Sequence, residues 1–260
     1  MDFGMPNLIE APTLQESTEL CSELGLKFVE LNMNFPQTGC GSVSSDEINA
    51  MKEKYGVYYT IHLDERVDVC DFNTLISEAY METVRRTITL AKEIGAPVIN
   101  MHLSTGIHIT LPTRKEYLYK TYREHYLGSL KRFRDEAEKL CEGKVTICVE
   151  NTDGWQEHEK EAIKMLLESP CFALTWDLGH DRSARKGDCD WLLENKVRLK
   201  HMHVHDGDDT HCHLALGDGD IDIAARLETA KECGCRCVLE TKTIDALRSS
   251  VAYLKNTEVL

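Results

Sequence analysis

The chain has 260 residues and carries 30 Lys+Arg against 44 Asp+Glu, a formal net charge of −14. That balance excludes a general DNA-coating or membrane-surface protein, which needs a basic excess. With 42% hydrophobic and 28% charged residues the composition is globular rather than disordered, and α/β barrels of this length form single domains.

In chain order, β-rich runs alternate with amphipathic stretches. A weak strand signal at Asp2–Met5 precedes a helix predicted over Thr13–Leu24, where Thr13 and Glu16 form a capping-box pattern. Strand Lys27–Met33 leads to helix Ser44–Tyr55, and strand Val57–Leu63 to helix Asn73–Ile94, whose apolar residues recur at helical spacing. Strand Pro97–Leu103 is followed by a long, charge-rich helix predicted over Thr113–Cys141. Strands Lys144–Glu150, Phe172–Asp177, Leu199–His205 and Cys235–Glu240 alternate with helices Glu157–Leu167, Asp188–Asn195, Ile221–Cys233 and Ile244–Leu254. Gly25, Gly56, Gly95, Gly143 and Gly234 stand at helix-to-strand junctions, where a left-handed cap is wanted. This alternation predicts a single-domain (β/α)8 TIM barrel over residues 1–260. An open doubly wound sheet would want a glycine-rich phosphate loop after its first strand, and none is present.

The 11 cysteines, with no secretory signal pattern at Met1–Glu10, lead us to expect reduced thiols in a cytoplasmic protein. The alternating Cys233, Cys235 and Cys237 read as sheet-packing residues on one face. No apolar run approaches a membrane-spanning length.

Barrel enzymes draw their reacting groups from the carboxyl ends of the strands. Here those ends carry His62, His102, Glu150, Asp177 with His180 just after it, the series His201, His203 and His205, and Glu240; Glu30 lies within the second run. A lone buried histidine is more often a hydrogen-bonded core residue than a ligand. So many ionisable groups around one mouth would repel each other without a cation, and a divalent ion relieves that conflict. Glu150, Asp177, His203 and Glu240 offer oxygen and imidazole donors suited to Mn²⁺, Co²⁺, Mg²⁺ or Zn²⁺. His201 and His205 share the face of His203, and Asp206 is a candidate to orient one of them. Glu30 is a candidate salt-bridge partner inside the barrel. His108, His125 and His158 read as solvated, as does Asp206–Asp209.

The stretches Val149-Glu150-Asn151-Thr152, Trp176-Asp177-Leu178-Gly179-His180, His203-Val204-His205-Asp206, His213 through Asp222 and Leu239-Glu240-Thr241 resemble the xylose-isomerase-like barrel superfamily, in order and over nearly the whole chain. That superfamily includes sugar phosphate isomerases and epimerases, ketose epimerases and endonuclease IV-type enzymes. The resemblance implies a metal site of Glu150, Asp177, His203 and Glu240, with the two glutamates also moving protons on opposite sides of a substrate carbon. It implies a substrate contact at His180, and we extend that role to Glu30 and His205. The implied activity is a divalent-metal-dependent isomerase or epimerase on a small sugar or sugar-like carbonyl substrate, by proton transfer through an enediolate. The ketose epimerases carry an arginine shortly after the histidine ligand, and Gly207–Thr210 has none.

The endonuclease IV-type resemblance implies up to three zinc ions, with further ligands at His62, His102, His180 and His213, and a phosphodiesterase acting on abasic DNA. It departs at His211, where an aspartate is expected, although histidine also binds zinc. Asn151-Thr152-Asp153-Gly154 also looks endonuclease-like. The −14 balance and short predicted loops disfavour nucleic acid without closing that reading, since Arg182, Arg185 and Lys186 offer a local basic patch. A non-catalytic sugar- or metal-binding barrel is the third reading. A carbohydrate substrate, one to three metal ions, no membrane and self-association left open complete the expectations.

Overall fold

A computed structural model describes residues 1–152, 154–183, 187–257 and 259. Its elements are β1 (Asp2–Pro6), α1 (Leu14–Leu24), β2 (Phe28–Asn32), α2 (Ser45–Tyr55), β3 (Tyr58–His62), α3 (Thr74–Ile94), β4 (Val98–His102), β5 (His108–Thr110), β6 (Lys115–Tyr117), α4 (Leu118–Thr121) and α5 (Arg123–Cys141). There follow β7 (Thr146–Glu150), α6 (Glu157–Leu166), β8 (Phe172–Asp177), α7 (Leu178–Ser183), α8 (Cys189–Glu194), a 3-10 turn (Lys196–Arg198), β9 (Leu199–Val204), α9 (Ile223–Cys233), β10 (Arg236–Leu239) and α10 (Ile244–Asn256).

The strands close in the order β1-β10-β9-β8-β7-β4-β3-β2, and every neighbouring pair is parallel. This is the predicted TIM barrel. Local chemistry sets its helix ends. Thr13 with Glu16 caps α1 and Ser44 with Glu47 caps α2, each as a capping box. The predicted junction glycines all have positive φ, which lets the chain leave each helix and enter the next strand directly.

Side chains alternate across the barrel wall. Those facing the helices form the main apolar core, with Leu31, Ile61, Met101, Val149, Trp176 and Val204 among them. Those facing inward form layers. Val98, Cys148 and Ala173 make a small separate apolar cluster. Above it lie Glu30, Thr60, Asn100, Thr175 and His201, all buried, and above these the strand-end ionisable residues.

The structure differs from expectation in several places. Lys115–Tyr117 pairs with His108–Thr110 as a hairpin, so the helix predicted from Thr113 begins only at α4 and α5. Pro112, which has no N–H to donate, lies in the turn between the two strands. The loops are not uniformly short: this hairpin follows β4, and residues 205–222 form a long connection after β9. His158 is buried, not solvated; it sits on the inner stripe of α6 with Ala162 and Ile163, its ring centroid 5.8 Å from that of Tyr126. Cys233 ends α9 and only Cys237 lies within β10, so the three alternating cysteines do not share a strand face. Asp206 is buried; its carboxylate accepts the backbone N–H groups of Gly207, Gly217 and Ile221 and so ties the long loop together, rather than orienting a histidine. Among the described residues no helix is long and apolar enough to cross a membrane.

Candidate metal centre

Glu150 ends β7, Asp177 ends β8, His203 lies near the end of β9, and Glu240 follows β10. Parallel pairing sets Glu150 beside Thr175 and Asp177 beside His203, and the four side chains converge at the mouth of the barrel. One ligand atom from each of the four lies within 4.8 Å of the others, and all four residues are buried. His203 Nδ1 is 3.1 Å from Glu240 Oε2, 3.3 Å from Glu150 Oε1 and 3.6 Å from Asp177 Oδ2. Two buried atoms there, His203 Nδ1 and Glu240 Oε2, have no hydrogen-bond partner. Orphaned donors and acceptors are costly, and a cation placed among these atoms would satisfy both. The donor set of one imidazole and three carboxylates fits a divalent ion.

Outer contacts hold these ligands in place. Asn151 brackets Asp177: its Oδ1 accepts the Asp177 N–H at 2.8 Å and its Nδ2 donates to the Asp177 carbonyl at 2.9 Å. His205, fully buried, places Nε2 at 3.0 Å and 3.1 Å from the Asp177 carboxylate oxygens. Its Nδ1 accepts the backbone N–H of His213 at 2.8 Å, so Nε2 carries the proton and donates to Asp177. His213 makes this bond from a left-handed backbone, φ 60°, an unusual conformation for a residue with a Cβ. Gly179 is needed here for space: a Cβ would stand 2.0 Å from the His205 ring.

His62 Nε2 and His102 Nε2 lie 3.4 Å and 3.2 Å from Glu150 Oε2. These three residues make a second group of donors within 4.8 Å, sharing Glu150 with the first; His205, His213 and Glu240 make another. His180 Nδ1 lies 3.5 Å from both Glu150 and Asp177 and has no hydrogen-bond partner. His211 is not brought in: it is exposed, with Nδ1 3.1 Å from Asp208 and 2.8 Å from Thr210 Oγ1. Glu30 lies beneath His203 and not at the mouth. Arg182 is engaged with Asp209 and Asp220; Arg185, Lys186 and Asp153 lie outside the described residues.

The groups balance one another electrostatically. Burial disfavours charge on every carboxylate, yet His203, protonated while no cation competes for its Nδ1, holds Glu150 and Glu240 well below the usual range. His205 and His180 hold Asp177 down at about 2 against the same burial penalty. Burial also works against charged His62 and His180, but Glu150 and, for His180, foremost Asp177 push each up to about 9. His213 falls to about 4 through burial and the neighbouring His205.

Sequence reading passed over Asn100 and Lys242 and quoted Asn151 in a motif without giving it a role. Asn100 Nδ2 donates to Glu150 Oε2, and it stands two residues before His102, on the same inward face, a spacing that could have flagged it. Lys242 Nζ donates to Glu240 Oε1 at 2.8 Å.

A family model described as a xylose isomerase-like TIM barrel matches residues 18–257. Among curated proteins none matches the chain in sequence. Solved structures do match. A D-tagatose 3-epimerase-like protein is 21% identical with a TM-score of 0.81, covering 100% of this chain and 98% of its own. The 3-keto-D-glucoside 4-epimerase of E. coli is 17% identical with a TM-score of 0.77, covering 98% and 99%. An IOLI protein with a bound zinc atom is 15% identical with a TM-score of 0.74, covering 100% and 98%. At these identities the likeness establishes the fold.

Proposed function

The chain belongs to the xylose isomerase-like TIM barrel family, and from that premise we propose that it is a divalent-metal-dependent isomerase or epimerase acting on a small sugar or sugar-like carbonyl compound. One observation carries the reading: Glu150 and Glu240 reach the same cluster from strands separated by β8 and β9, with His203 and Asp177 between them. The sugar epimerases among the structural neighbours support the substrate class, and the zinc-binding neighbour supports a metal.

When bound, the cation would acidify the C–H beside a substrate carbonyl and offset the charge of the enediolate. His203 and Asp177 are holding groups, fixed from behind by other side chains. Glu240 takes the substrate proton. Glu150, flanked by His180, is placed to return one from the other side. His180 contacts the substrate from the rim, where it keeps partial exposure. All 11 cysteines are free, which supports a reducing compartment, the cytoplasm.

The test is exchange of substrate C–H with D2O, followed by proton NMR on a ketose panel that includes D-tagatose and D-allulose, with Mn²⁺, Co²⁺, Mg²⁺ or Zn²⁺ supplied. Exchange that disappears in Glu150→Gln and Glu240→Gln supports the reading. No exchange with any sugar or metal sinks it, and a non-catalytic binding barrel would give that result with metal still bound.

The second reading is a multi-metal phosphodiesterase. The His62–His102–Glu150 group favours it, because two donor sets sharing a carboxylate are what two adjacent cations require. Two or three zinc ions per chain by metal analysis, with nicking of abasic DNA, would select it. The charge of −14 weighs against nucleic acid.

A further inference from the structure

Beneath the four ligands lies a buried polar layer that the proposed reaction does not use. Its one carboxylate is Glu30, in the middle of β2 and 1% exposed. A buried carboxylate is costly unless several donors meet it. Glu30 Oε2 is 2.9 Å from His203 Nε2. Glu30 Oε1 accepts the Thr60 hydroxyl at 3.2 Å and lies 3.2 Å from His201 Nε2. An ionised carboxylate can only accept, so His203 Nε2 carries the proton of that bond. The opposite ring nitrogen, Nδ1, is the orphaned atom facing Glu150, Asp177 and Glu240.

We propose that Glu30 is a positioning residue for His203: it fixes the ring with Nε2–H turned down to the carboxylate and the Nδ1 lone pair turned up into the metal centre. This rests on reading Glu150, Asp177, His203 and Glu240 as a cation site. Glu30 cannot serve as a ligand there, because the His203 ring stands between it and the other donors. Its negative charge also raises the basicity of the imidazole, which strengthens Nδ1 as a donor. The same layer also reaches a second ligand. His201 Nδ1 is 3.4 Å from Thr175 Oγ1, whose hydroxyl donates to Asn100 Oδ1 at 2.5 Å, and Asn100 Nδ2 donates to Glu150. Glu30 therefore braces His203 directly, while Thr175 and Asn100 brace Glu150 from the same layer.

The test is calorimetric titration of the full chain, stripped of metal, with MnCl2. Glu30→Gln keeps the volume and one acceptor oxygen but removes the charge; Glu30→Leu removes the acceptor as well. The Mn²⁺ dissociation constant is expected to rise by about 10–100-fold in Glu30→Gln and further in Glu30→Leu, at unchanged stoichiometry. A native-protein measurement stands beside the variants in case they fold poorly. Histidine ¹⁵N NMR of the zinc-loaded chain should show His203 protonated at Nε2 and metal-bound at Nδ1, and the reverse pattern overturns the proposal. Native Mn²⁺ affinity in Glu30→Gln, even with a lowered melting temperature, assigns Glu30 to packing and overturns the proposal while leaving the metal reading intact. A native chain that binds none of Mn²⁺, Co²⁺, Mg²⁺ and Zn²⁺ overturns both.

Discussion

The two faces of the barrel wall are buried alike and built from opposite chemistries. On β8, Phe172, Leu174 and Trp176 face the helices, while Ala173, Thr175 and Asp177 face inward, and every one of the six is buried. The outer face gains by excluding water, at about 25 cal/mol per Å² of apolar surface. The inner face, over its upper layers, gives that gain up: its groups must be satisfied one by one, by Asn100 for Glu150, Asn151 and His205 for Asp177, and Glu30 for His203. Equal burial therefore separates a face that holds the fold from a face that holds the chemistry.

Perturbing one face at a time should break that separation if it is false. The largest effect is expected inside. Glu240→Gln and Glu150→Gln should each cut turnover by about 10²–10⁴-fold while circular dichroism stays native; unchanged turnover and metal content would mean the wrong residues have been chosen. Next comes the outer face. Phe172, edge-on to Phe133 with ring centroids 5.3 Å apart, should cost about 3–5 kcal/mol in urea unfolding when changed to Ala, with metal bound per folded molecule unaltered. Chelation links the faces: stripping a cation present at 1,000 times its dissociation constant removes about 4 kcal/mol, a fall of roughly 8–16 °C in Tm. An EDTA scan showing no shift would deny a bound cation any part in stability.

A cap far from the mouth should be felt only as stability. Thr13→Ala, which removes the capping box of α1, should cost about 1 kcal/mol with kcat/KM unchanged. The smallest expected effect concerns His158. Burial lowers its pKa in the folded state, so the unfolded chain takes up the proton more readily. Stability is full above the unfolded value near 6.5 and declines as pH falls below it. His158→Gln should flatten the Tm profile between pH 8 and 5 relative to the native chain; a profile parallel to the native one would show that the burial carries no penalty.

The strands were legible because alternation and the junction glycines act locally, and all eight appear in the closed sheet. The hairpin was not, because Lys115 and Glu116 suit an exposed helix as well as an exposed strand; Ile107 and Ile109, alternating about an exposed His108, were the available hint. His158 could have been placed by counting on to Ala162 and Leu166, one helix stripe. The strand-end ionisable residues could be named from sequence, but their partners could not. Glu30 and His203 are 173 residues apart, and only the closure of β1 onto both β2 and β10 brings them together. His211 shows the converse: it belongs to a motif by spacing, but the loop turns it to Asp208.

The polar inner layers also act on the folding of the sheet itself. A strand slipped by one residue exchanges its two faces. For β8 a slip would drive Asp177 and Thr175 against apolar helices and turn Trp176 into the lumen; for β9 it would do the same to His201 and His203. Apolar layers on both sides of the wall would tolerate such a slip far better. The side chains at the mouth thus serve as alignment marks, which penalise every misregistered barrel before any substrate arrives.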